Sequence, residues 1–106
     1  PAGNQYLQFA VMLAAGLDGI ENRIDPGEPF EEDTYAMDRA EIEQNGIETL
    51  PEDLGEALSC MRGSHLVREA LGSHTFEAFL HVKEAQWDRF RRHVTDFELE
   101  GCIEVI

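Results

Sequence analysis

Residues 4–29 read NQYLQFAVMLAAGLDGIENRIDPGEP. The pattern predicts one helix over residues 5–20. Its apolar positions are Tyr6, Leu7, Phe9, Ala10, Val11, Met12, Leu13, Ala14, Ala15, Leu17 and Ile20. A surface helix of a globular protein keeps one apolar stripe and one polar face. Between Phe9 and Ala15 this segment is apolar almost all the way round. Such a helix needs cover on several sides, yet it stands at the start of the chain. The expectation is that something else covers it, either the rest of a larger protein or further copies of an obligate oligomer. The helix should end near residues 21–24. There Asp25-Pro26-Gly27-Glu28-Pro29 forces a turn, because both prolines lack an amide donor and restrict their predecessors.

Working outward, residues 30–50 are polar, acidic and weakly periodic. They read as an exposed excursion with a short helical turn near residues 38–43 and a turn at Asn45-Gly46. The second half is marked by helix caps. Asp53-Leu54-Gly55-Glu56 has the spacing of a capping box, and its helix should run to about Arg62 with Gly63 as a left-handed stop. Ser64 should cap a short helix over residues 66–71, stopped by Gly72. Ser73 or His74 should open the longest helix, about residues 75–93, with Phe76, Phe79, Leu80, Trp87, Phe90 and Val94 near one stripe. Thr95-Asp96-Phe97-Glu98 is a second capping box, opening a last helix with Leu99, Cys102, Ile103 and Ile106. No strand pattern of useful length is present. The expected fold is all-α: about five helices and one long acidic loop in a single small domain over residues 1–106.

Charge narrows the range of partners. The chain carries 22 acids and 8 bases, a formal net charge of −14. Residues 1–61 hold fourteen of the acids against Arg23 and Arg39 alone. Phosphate contacts need a basic footprint, so nucleic acid and anionic membranes are disfavoured partners. The balance suits a high-salt solvent, and equally an ordinary acidic surface facing water. The apolar run lacks a basic leader and is too interrupted to span a bilayer, which takes about 20 apolar residues. A first residue of Pro rather than Met suggests processing or a fragment. Cys60 and Cys102 lie far apart with no Cys-x-x-Cys spacing, so free thiols are expected in preference to a disulfide or a zinc site.

Several of these segments carry a family resemblance. Asn4-Gln5-Tyr6-Leu7, Phe9-Ala10, Met12-Leu13-Ala14-Ala15-Gly16-Leu17-Asp18-Gly19-Ile20 and Pro26-Gly27-Glu28-Pro29 resemble the C-terminal part of the glutamine synthetase family. The likeness continues through Leu50-Pro51 and Leu54-Gly55-Glu56-Ala57-Leu58 to Trp87, Arg91 and Val94-Thr95-Asp96-Phe97-Glu98-Leu99. It therefore covers essentially the whole chain. The last stretch is similar to the glutamine-synthetase-like branch, which includes ligases joining glutamate to amines other than ammonia. Gln5 stands where the family usually has Pro, and residues 98–106 differ from the tail of the best-known bacterial enzymes.

The resemblance implies that this chain is part of an α+β catalytic domain. It implies ATP and Mg or Mn in the intact enzyme, ring-forming homo-oligomers and a cytoplasmic location. In the family the metal-binding Glu and His residues and the nucleotide-binding Arg residues lie upstream of the segment that matches residues 4–7. The last of them, in a Glu-x-Arg motif, falls just before the position of Pro1. The expectation is a scaffold and oligomer-contact role, with no catalytic, cofactor-binding or metal-binding residue in this chain and no activity of the chain alone.

The residues themselves offer few competitors. Glu31-Glu32-Asp33 lacks the spacing and glycine of a calcium loop and reads as a solvated charge run. His65, His74, His81 and His93 form no pair at i,i+4, and surface or capping roles are expected. Trp87, Phe79, Phe90 and Phe97 are expected to be core rather than a stacking platform. Tyr35 is the one candidate site. The resemblance implies possible regulatory modification there, since some bacterial members carry an adenylyl group on a Tyr of this loop. The family site is usually followed by Asp-Leu, whereas Ala36-Met37 follows here. The bland alternative is a ring that anchors the loop by packing on the body. A different class of function also stands open: a detached, non-catalytic module that dimerises or binds a partner through its first helix.

Overall fold

The computed structural model describes residues 3–103. The described residues form helices and turns, with no strand. The helices are α1 (Gln5–Glu21), α2 (Arg39–Gln44), α3 (Leu54–Gly63), α4 (His65–Leu71), α5 (Ser73–Arg91) and α6 (Asp96–Ile103), with a 3-10 turn at Thr34–Ala36 between α1 and α2. The all-α expectation holds, with the anticipated short helical turn extending to the full helix α2.

Local chemistry explains the boundaries. Asn4 accepts from the amides of Tyr6 and Leu7 at 3.0 and 3.3 Å, so α1 starts without the preset φ of a proline. α1 ends in a left-handed residue, Arg23 at φ 49°. The amides of Arg23 and Ile24 donate back to the carbonyls of Ile20 and Gly19, a Schellman closure with arginine where glycine is usual. Asp38 and Glu41 cap α2 reciprocally at 2.8 and 2.9 Å. Thr95 and Glu98 do the same for α6, with both the Thr95 amide and hydroxyl donating to Glu98.

Two expectations are corrected. Gly63 is not a left-handed stop: α3 runs through it, and the chain turns at Ser64 with φ −87°. Ser64 serves both as the end of α3 and as the side-chain cap of α4, whose Val67 amide it receives. The Asp53 box closes only on one side, because Glu56 reaches past Asp53 to the amide of Glu52 at 3.0 Å. Ser73 opens α5, as expected. Gly72 stands at that boundary with φ 74° and ψ 153°, and no side chain caps the helix.

The core is small. Leu58, Phe76 and Leu80 are buried, and Met61, Val67, Leu71 and Trp87 pack against them. Phe76 is wholly enclosed, with the Arg68 guanidinium 4.2 Å from its ring centroid. Arg68 also binds Glu77 at 2.7 Å, and Arg62 pairs with Glu84, so ion pairs tie α3 and α4 to α5. α3 and α4 pack on α5 and on each other, and α1 lies along α4. Phe90 and Phe97 are exposed, against the expectation of core. α5 stops at Arg91, and Val94 lies exposed beyond it.

Candidate functional site

The most unusual surface is α1. None of its residues is buried. Leu7, Val11, Ala14 and Asp18 recur at helical spacing and are half-buried on the α4 side. Tyr6, Phe9, Leu13, Leu17 and Ile20 recur at the same spacing along a second stripe and face outward. Tyr6 is 86% exposed, Phe9 68% and Ile20 75%. A helix with two apolar stripes and one partner leaves one stripe in water, which costs hydrophobic free energy. Beside it, Leu7, Val11 and Met12 face Met61, Val67, Leu71 and Phe79 across an apolar groove of about 360 Å³.

A second apolar hollow lies at the far end of α5, where Leu54, Trp87 and Phe90 line a groove of about 610 Å³. Trp87 and Phe90 stack with centroids 5.9 Å apart. Gly55 is needed there: a Cβ on it would stand 2.8 Å from the Trp87 indole. At the end of α5, Asp88 binds Arg91 at 2.7 Å and Arg92 at 3.3 Å. The Arg91 hydrogen bond and charge hold the Asp88 carboxyl below its ordinary range. The Thr95 amide and hydroxyl lower Glu98 in the same way.

The long acidic loop carries Tyr35 on the 3-10 turn, capped by Asp33, which receives the Tyr35 amide at 3.0 Å. The ring is 100% exposed. The anchoring role expected for it is therefore corrected: no part of the described body covers it. The four histidines are all exposed, and His65 lies 3.6 Å from Glu69. Cys60 and Cys102 are free and exposed, as expected. Among the described residues no three His, Cys, Asp or Glu side chains converge in a set that fits a metal ion. No helix among them is long and apolar enough to cross a membrane.

Residues 1–102 match the family described as "Glutamine synthetase, catalytic domain". The chain belongs to the glutamine synthetase family. It is 46% identical over 106 residues to glutamine synthetase of Methanosarcina mazei, covering all of this chain and 24% of that protein. It is 43% identical over 105 residues to the enzyme of Methanococcus maripaludis, covering 99% of this chain and 24% of that one. Glutamine synthetase of Mycolicibacterium smegmatis is 42% identical over 104 residues, with 98% and 23% covered. The chain thus spans about a quarter of the length of these curated relatives.

Set on a glutamine synthetase catalytic domain, the uncovered stripe of α1 is the feature of this chain that calls for a neighbour. The helix and its need for cover are legible in the sequence, whereas the division into two stripes is obscured. That signal was present in the spacing of Tyr6, Phe9, Leu13, Leu17 and Ile20, and was hidden by the alanines between them.

Proposed function

We propose that this chain is the C-terminal helical segment of a glutamine synthetase-type ligase. Such an enzyme uses ATP to convert the γ-carboxylate of glutamate to an acyl phosphate. Ammonia, or another amine, then attacks the acyl carbon, phosphate leaves, and an amide bond forms. The relatives' name favours ammonia as the acceptor, while the stretch Val94-Thr95-Asp96-Phe97-Glu98-Leu99 keeps other amines in play. The reaction needs charge compensation at phosphate and divalent Mg or Mn. Among the described residues no donor set fits a metal ion. The metal, ATP and reacting atoms are therefore assigned to the rest of the catalytic domain, and no residue here is given a catalytic role.

The role assigned to this segment is mechanical. α1 backs the catalytic domain through Tyr6, Phe9, Leu13, Leu17 and Ile20, and the helical body supplies contacts in a ring-forming homo-oligomer. The observation that carries this is the solvent-facing apolar stripe of α1 in a chain that spans a quarter of its relatives. An ATP-consuming ligase with unpaired thiols fits the cytoplasm. Tyr35, raised on a capped turn with its ring free, is the proposed position of regulatory adenylylation.

The test begins with the coding frame upstream of the Pro1 codon. A frame that continues into a Glu-x-Arg segment and a β-rich region supports the ligase. The extended protein should then release phosphate from ATP only with glutamate and an amine present, and the 106-residue chain should release none. A frame that starts at Pro1 would leave the binding-module reading, in which the α1 stripe docks a partner. For Tyr35, a label should pass from ATP to the protein in the presence of a cognate transferase and be absent from Tyr35→Phe. Equal labelling of both would remove the assignment.

A further inference from the structure

We draw no further inference here: the strongest candidate, the apolar groove at the end of α5 lined by Leu54, Trp87 and Phe90, is an unpartnered apolar surface, and nothing in the structure shows what covers it.

Discussion

Phe76 and Trp87 looked equivalent as aromatic positions on one helical stripe, and the fold separates them. Phe76 is fully enclosed, whereas Trp87 packs on the rim against Gly55 and Phe90. Truncating an enclosed aromatic removes its transfer free energy and leaves a cavity. Phe76→Ala should therefore cost about 3–5 kcal/mol, and Trp87→Ala clearly less, about 1–3 kcal/mol. Urea denaturation of the two variants checks the order, and a larger loss for Trp87 would show that the core is centred elsewhere. Gly55→Ala should cost about 1–3 kcal/mol by overpacking the indole, with a change in Trp87 fluorescence. Glu98 gives a pH prediction. Its carboxyl is lowered in the folded chain by the Thr95 hydrogen bonds, so its support of the α6 cap is present in full above the ordinary carboxylate range. That support is lost as the pH falls through the lowered value. By NMR, the Thr95 amide should titrate together with the Glu98 carboxyl, below the ordinary carboxylate range. Glu98→Gln should abolish that titration, and an unchanged Thr95 profile in that variant would break the link.

Among the elements, caps were legible and their partners less so. Asn4, Ser64 and the Thr95–Glu98 box act as their residue types and spacing dictate. The Asp38–Glu41 box has the same spacing and marks a full helix, but the acidic surroundings obscured it as a loop. Glycines were harder to place, because position in the sequence does not give φ. Gly63 continues a helix, while Gly72 has φ 74° and ψ 153°, a region almost closed to residues with a Cβ. That conformation lets α4 and α5 meet with no intervening residue besides Gly72. Gly72→Ala should cost about 1–3 kcal/mol, while Gly63→Ala, at the last residue of α3 with open space at its Cβ, should be neutral or stabilising by up to about 1 kcal/mol. Thermal unfolding of the pair separates the two roles. Equal effects would mean that the α4–α5 corner does not depend on the conformational freedom of Gly72. α5 has the expected length of 19 residues but lies about two residues earlier in the chain than its stripe suggests. Its stripe invited continuation through Phe90 to Val94, yet the helix ends at Arg91, and Asp88 binds Arg91 and Arg92 over its last turn.

At the scale of the whole molecule, the chain is extended for its length. Its radius of gyration is 18.5 Å, against about 13 Å for a compact chain of 100 residues. Two opposing terms act on copies of it in solution. The uncovered stripe of Tyr6, Phe9, Leu13, Leu17 and Ile20 favours association. The net charge of −14 opposes it. Salt weakens only the second term, since the Debye length falls to about 10 Å at 0.1 M while apolar burial is not screened. The isolated chain should therefore bind a hydrophobic dye and associate more strongly as NaCl is raised, seen by sedimentation. Phe9→Glu with Leu13→Glu should remove most of that association, because it places charge in the middle of the stripe. Association that weakens with salt would identify ion pairs rather than the α1 stripe as the contact. A chain that stays monomeric and binds no dye would mean that the stripe is satisfied within the chain, and the scaffold role would lose the observation that supports it.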